Sequence, residues 1–342
     1  MALATTHPTL LDVTKRSKPG GQIDMIAEIL EQRNEILEDM VWVQGNLETG
    51  HRTTQRTGLP TPTWRKLNAG VVPTKSDTAQ ITDTCAMLEA YAEVDAKLAK
   101  LNGNTAAFRL SEDRGHIEGM AQEHAQTLFY GNEALAPNEF TGLAPRFNNL
   151  TTMANSENVI AAAGAAAGND QTSVWLVVWG PNTVHGIYPK GTVGGLQMTD
   201  KGQVTRENAD YSVAGASGAG MFEVFRTHYE WNCGLTVRDW RFVVRIANID
   251  ATGLTDKLST TTSNLIDRMS EATELIPNLS AGRPVFYANR KIKSILKRQL
   301  ADSVTNSTLQ MSEAGGKHVL SFDSIPVRRC DAILNTETLV GA

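Results

Sequence analysis

The chain has 342 residues, 41% of them apolar and 20% charged, with a net charge of −5 and a pI near 5.8. That composition supports a buried core for one large domain or two modest ones and excludes disorder of the whole chain. The acidic balance argues against a protein that grips nucleic acid by neutralising phosphates; one that enclosed it would do so by geometry.

The opening MALATTHPTLLDVTKRSKPGG has neither the basic start nor the long apolar run of a secretory signal. Its Thr, Pro, Lys and Gly residues carry no packing period, so residues 1–21 read as an arm, held only by a neighbour. Over 22–42, Ile23, Ile26, Leu30, Leu37 and Val41 recur at helical spacing, which predicts an amphipathic helix. Its other face carries Asp24, Glu28, Glu31, Glu35, Glu38 and Asp39 against a single Arg33. The first expected region therefore spans 1–45.

Residues 46–82 are Thr-rich and broken by Gly58, Pro60, Pro62, Gly70 and Pro73, which no helix survives. Alternation at His51, Thr53, Gln55 and Thr57 predicts an extended ribbon with a turn near Leu59–Trp64. A two-stranded ribbon is marginal alone in water and should rest on something else. Between Glu48 and Asp77 there is no acid, while Arg52, Arg56, Arg65, Lys66 and Lys75 are all basic. These five, with Glu28, Glu31, Glu35 and Glu38 of the preceding helix, are the candidate inter-subunit contacts; complementary charge would steer and register such a contact more than stabilise it.

Residues 83–250 form the third expected region. A strand runs into a short helix over 83–103. Residues 105–130 carry Phe108, Ile117, Met120, Ala121, His124 and Leu128 in a helical stripe; at ~1.5 Å per residue such a helix would be on the order of 39 Å long. Asn104 and Thr105 offer its cap, Gly131-Asn132 a left-handed end, and Gly115 and Gly119 inside it would admit close packing of another segment. The small-residue stretch within 151–172 reads as a linker. Over 173–250, Val, Ile, Trp, Tyr and Phe in extended patterns predict an antiparallel sheet with one face on the long helix.

The last region, 251–342, alternates helix (259–275), strand (RPVFYAN), basic helix (KIKSILKRQL) and a pair of strands (HVLSFDSIPVRRCDAIL), a compact α/β unit of its own. Cys85, Cys233 and Cys330 are odd in number, widely spaced and without a CxxC pair, which argues against a disulfide framework or structural zinc and for folding inside a cell. The apolar run Val174–Trp179 is too short to cross a bilayer, so the chain reads as soluble.

The motifs of catalysis fail on spacing. Gly215–Ala219 lacks the final glycine of a nucleophile elbow. Gly316-Lys317 has Met311 and His318 where a phosphate loop needs Gly and Ser or Thr. Gly218-Ala219-Gly220 lacks the third glycine of a dinucleotide loop. Glu112 and His116 lie one turn apart with no HExxH, and Asp267, Glu271 and Glu274 suit a solvated helix face. Arg290, Lys291, Lys293, Lys297 and Arg298 form the best nucleic-acid candidate, but no aromatics cluster there for stacking. Trp175, Trp179, Trp231 and Trp240 sit in strand patterns as core or interface. No catalytic residue, cofactor or metal is expected.

Three segments carry a family resemblance: LFYGNEALAPNEFTGLAPRF at 128–147, RPVFYANRKIKSILKRQL at 283–300, and FDSIPVRRCDAIL at 322–334. They resemble, in order, the close of the spine helix, the axial strand and helix, and the Pro-Val strand of the Hong Kong 97-type major capsid proteins of tailed bacteriophages. MALATTHPTLLDV, DMVWVQGN and TGHRTTQRTGLP further resemble capsid proteins of a short-tailed phage group. The resemblance implies an α+β fold with N-terminal arm, extended loop (46–82), peripheral domain with spine helix (83–250) and axial domain (251–342). The strand-rich block before the axial domain departs from the commoner order and implies a permuted connectivity. Implied too are hexamers and pentamers forming an icosahedral shell around double-stranded DNA, with scaffold, portal and decoration proteins as partners, no membrane, and assembly in the host cytoplasm. Some members join a loop lysine to a neighbour's asparagine; Lys66 and Lys75 are too ordinary to indicate that here. An encapsulin-like compartment of the same fold is the alternative.

Overall fold

The computed structural model describes residues 8–16, 30–101, 105–162, 170–208, 220–250, 265–302, 309–314 and 317–341. In chain order its elements are α1 (Leu10–Arg16), α2 (Ile36–Asp39), β1 (Trp42–Gln44), β2 (Gly50–Gly58), β3 (Asp77–Asp95), α3 (Ala96–Ala99), α4 (Thr105–Tyr130), α5 (Leu143–Arg146), β4 (Val159–Ala161), β5 (Gln171–Trp179), β6 (Val184–Tyr188), β7 (Gln197–Asn208), β8 (Gly220–Val237), β9 (Val243–Asp250), α6 (Leu265–Leu275), β10 (Arg283–Ala288), α7 (Arg290–Asp302), β11 (Leu309–Ala314), β12 (Lys317–Phe322) and β13 (Ile325–Arg329). The chain divides into two compact units, one drawn from Met1–Gln32, Met87–His124 and Gly195–Asn232, the other from Arg33–Ala86, Ala125–Gly194 and Cys233–Ala342.

The second, larger unit is built on β5, every residue of which is buried. It pairs antiparallel with β10 and with β9. One of its faces sets Val174, Leu176 and Val178, with Val244 and Ile246 of β9, against Leu265, Met269 and Ala272 of α6 and Ile292 and Leu296 of α7. Its other face sets the Trp175 ring 6.0 Å from Phe129 and 6.3 Å from Phe147. Burial on both faces is why this stretch reads as a continuous apolar run. Asn289 starts α7 by accepting a hydrogen bond from the Ile292 amide at 2.9 Å, a side-chain N-cap.

Within 173–250 the pairing is antiparallel as expected, β5 with β9, β6 with β8 and β7 with β8, apart from one parallel residue pair between β5 and β6; the other parallel pairs involve strands outside that block. β10 and β13 run parallel, because α7 carries the chain back across the sheet between them; β1–β6 and β4–β9 are also parallel. The C-terminal block does not close a core alone, since Phe286 and Ala288 of β10 share one cluster with β5 and β9. β11, unforeseen in the sequence, pairs with β12, and β12 with β13. Residues 159–161, read as linker, form β4 beside β9; residues 163–169, and the Gly-rich 213–219, lie outside the described set.

The smaller unit joins the N-terminal part of α4 to β7 and β8, an antiparallel pair with a bulge between Asp200 and Gly202. Its apolar contacts are two modest clusters, Val13, Val94, Ala99 and Phe108, and Ala92, Met120 and Tyr229. Helix α4 spans 105–130 as expected, but its two glycines act otherwise than foreseen: a Cβ on Gly115 or Gly119 would meet nothing within 4 Å, so no segment among the described residues packs closely there. Gly131 does not take the left-handed conformation; it is needed because a Cβ would fall 2.5 Å from the Phe140 carbonyl oxygen.

The helix expected over 22–42 reduces, among the described residues, to the single turn α2; residues 22–29 lie outside them. Asn34 bridges to Cys330, its Oδ1 accepts from the Ala332 amide at 2.9 Å, and the Glu35 amide donates to the Arg329 carbonyl at 3.2 Å. Pairing with the end of β13 satisfies backbone groups that a helix would otherwise have used.

Candidate interaction surface

Strands β2 and β3 form a ribbon, Gly50 opposite Thr84 through Gly58 opposite Asp77. The turn is not the short one expected near Leu59–Trp64: the strands end at Gly58 and Asp77, and 59–76 is a long exposed loop. Prolines at 60, 62 and 73 withhold amide donors from the ladder, which ends the pairing early. The ribbon root is tightly built. A Cβ on Gly50 would fall 2.1 Å from the Asp83 carbonyl oxygen, and one on Gly234 2.6 Å from that of Thr84. Buried Asp83 pairs with Arg146 at 2.8 Å. The His51 and His185 rings meet edge-on, 5.7 Å apart. Burial holds His185 down to about 4 and also lowers His51, against the raising influence of Asp83, so both rings are neutral at pH 7.

The loop is exposed along its length. Trp64 is fully open to solvent, and Leu67 and Leu59 are 96% and 78% exposed. Arg52, Arg56, Arg65, Lys66 and Lys75 are all exposed. Their ties are weak and local: Arg52 Nε donates to Thr82 Oγ1 at 3.2 Å, Arg65 Nε to the Ala69 carbonyl at 2.8 Å, and Lys75 Nζ stands 3.6 Å from Asp77.

Among the described residues, Glu31, Glu35 and Glu38 are not brought to those cations within the chain. Glu28 lies outside the described residues and Glu31 is exposed. Glu35 is buried, 2.8 Å from Arg33 and 3.8 Å from Arg328; Glu38 is 3.6 Å from Arg328. Asp39, also buried, is 2.8 Å from Arg283, 3.1 Å from Arg328, and accepts from the Tyr287 hydroxyl at 2.9 Å. Burial outweighs those partners and raises its carboxyl. The organising role of Arg328 was invisible in sequence, because its partners lie nearly 300 residues away.

A second buried centre also escaped sequence reasoning. Arg245 and Glu337, each 4% exposed, pair at 2.9 Å. Arg245 donates to the Phe147 carbonyl at 2.9 Å and lies 5.0 Å over the Trp175 ring. Glu337 also accepts from the hydroxyls of Ser173 and Tyr130. Burial, then the Glu337 carboxylate, push the Tyr130 hydroxyl far up, so it stays a donor. The pair pins the C-terminal segment, whose Glu337 amide donates to the Gln171 carbonyl at 2.9 Å.

The remaining candidates are structural. Glu112 pairs with Arg16, and Glu271 with Arg268 at 2.6 Å. His124, held at about 4 by burial, packs 4.3 Å from the Trp231 ring. On α7, Arg290, Lys291, Lys297 and Arg298 are exposed, while burial lowers Lys293. Burial pushes the thiols of Cys85 up to about 11 and of Cys233 and Cys330 to about 12, so none is a nucleophile near neutrality.

A profile of the family described as "Major capsid protein GP7" matches residues 18–341. Among solved structures, the capsid chain of bacteriophage Epsilon15 is similar at 38% identity and a TM-score of 0.76, covering 100% of both chains. The capsid of bacteriophage JBD30 is similar at 9% identity and a TM-score of 0.45, over 90% of this chain and 95% of that one. The SrpI encapsulin of Synechococcus elongatus is similar at 12% and 0.41, over 76% and 96%; at such low scores these two carry no weight. None of the curated proteins compared with the chain matches it.

Proposed function

Because the chain belongs to the family of major capsid proteins described by GP7, as a coat protein that forms a bacteriophage shell, we propose that it builds that shell by laying its basic ribbon across a neighbouring copy. The observation that carries this reading is the 59–76 loop, which exposes Trp64 and Leu67 almost completely and contains no acid. A segment without a core of its own draws its stability from a partner. Arg52, Arg56, Arg65, Lys66 and Lys75 would meet acids of the adjacent copy, exposed Glu31 and Glu38 together with Glu28, with buried Glu35 holding Arg328. Contacts of this head-to-tail kind close into rings, here six and five copies, when the rotation between subunits allows it.

On this reading the protein catalyses nothing and encloses DNA by geometry, in keeping with its net charge of −5. Scaffold, portal and decoration proteins would complete the particle, assembled in the host cytoplasm. Negative-stain microscopy of the full chain tests the reading: round shells or ring capsomers are expected, lost on Arg65→Glu with Lys66→Glu. An unaltered chain that stays monomeric under assembly conditions, or shells unimpaired by the double reversal, would overturn it.

A further inference from the structure

Where the ribbon passes into its long loop the chain leaves a cleft of about 680 Å³ between the end of β2 and the turn joining β8 to β9. Its lining is Arg56 and Leu59 from the ribbon side and Arg238, Asp239, Trp240 and Arg241 from the turn. Arg241 is taken up by Asp239, which it meets at 2.7 Å. Although burial pushes the Asp239 carboxyl up, the hydrogen bonds from Arg241 outweigh it and hold the group below its ordinary value. The other two guanidinium groups are not neutralised. Arg238 reaches only the neutral Asn182 side chain, at 3.2 Å, and Arg56 has no ion-pair partner among the described residues. The walls are fixed: Gln55 Nε2 donates to the Arg238 carbonyl at 2.6 Å, and the Arg238 amide to the Thr183 carbonyl at 2.9 Å. The site is thus a rigid slot with two free positive charges beside an indole and a leucine.

We propose that this cleft seats the acidic segment Gln22–Gln32 of a second copy of the chain. The inference rests on the shell reading above and names a contact within it. The segment, QIDMIAEILEQ, carries Asp24, Glu28 and Glu31 and no base, interleaved with Ile23, Ile26, Ile29 and Leu30. Its described end presents what the slot asks for, since Leu30 is 82% exposed and Glu31 is exposed. The acids of α6 fit less well, because Glu271 is already paired with Arg268. Nucleic acid fits less well too: a polyanion requires a track of cations, whereas this slot offers only Arg56 and Arg238, its third guanidinium being spent on Asp239.

Mixed assembly decides the matter. One population carries only Asn182→Cys, the other only Glu31→Cys, and assembled particles are treated with an oxidant. A disulfide-linked dimer is expected on a non-reducing gel when both are mixed, and from neither alone. Arg238→Glu in the first population should cut the dimer yield at least tenfold, and Asp24→Arg with Glu28→Arg in the second should restore it. Normal shells without the dimer would overturn the proposal while leaving the shell reading intact. A short DNA duplex retained by the unaltered chain and released by Arg238→Glu would reassign the slot to nucleic acid. Failure of the unaltered chain to form shells would remove the premise itself.

Discussion

Glu337→Gln is the most informative single change. It removes the charge that faces Arg245 while preserving shape. Both side chains are 4% exposed, so Arg245 would be left buried with only the Phe147 carbonyl, Ser173 and the Trp175 face as neighbours. Breaking one partner of such a pair typically destabilises by about 3–5 kcal/mol. For a unit of this size that is a melting temperature lower by roughly 6–20 °C. The readout is thermal and urea unfolding of the unassembled chain by tryptophan fluorescence, since Trp175 lies under the guanidinium. Replacing both members, Arg245→Met with Glu337→Leu, should recover most of the loss, because two apolar groups leave no orphaned charge. A loss under about 1 kcal/mol for Glu337→Gln, within the range of an exposed pair, would refute the reasoning.

Acid should loosen the ribbon root. His185 titrates at about 4 in the fold against an unfolded value near 6.5, so its contribution is present above about pH 6.5 and is lost as pH falls, roughly 3 kcal/mol by pH 4. His51 shifts in the same direction, and urea midpoints of the unaltered chain against His185→Gln isolate the effect from His124; parallel pH profiles would contradict it. Trp64→Ala should leave the melting temperature of the unassembled chain unchanged yet reduce the yield of shells, and Trp64 emission should shift to the blue on assembly, whereas an unshifted spectrum would mean that the loop stays in water. Gly115→Ala and Gly119→Ala meet no neighbour and should each stabilise α4 by about 0.8–1 kcal/mol, measured by urea unfolding; a loss at either would mean that a tight contact exists there.

What could be read in advance followed the range of the forces involved. Helix α4, the strands of β5 and β9, and the ribbon announce themselves through local periodicity and through proline and glycine. The helix expected over 22–42 had an equally good local pattern, and among the described residues its 33–35 stretch pairs instead with a distant competitor, the backbone of 329–332. The antiparallel expectation over 173–250 held for β5–β9, β6–β8 and β7–β8, whereas the parallel β10–β13 pair beyond it depends on the path of the chain through α7, which no strand encodes. Of the candidate contacts, the ribbon cations are exposed and tied only to near neighbours. Glu35 and Glu38 turned out to answer to Arg328, and the Arg245–Glu337 centre left no trace, because single Arg and Glu residues are common and only the fold brings these two together.

The complete burial of β5 has a consequence for how the protein is made. Its hydrogen-bonding neighbour β10 lies about 110 residues downstream, which at ribosomal speeds of about 5–20 residues per second means a wait on the order of 5–20 s. During that interval a nine-residue strand whose last six residues are apolar has left the ribosome with one edge unmet. Non-local pairing of this sort folds slowly and invites sticking to other nascent chains. A phage producing many copies at once meets that hazard in every one of them, so the demand for chaperone capacity is written into the order of its strands.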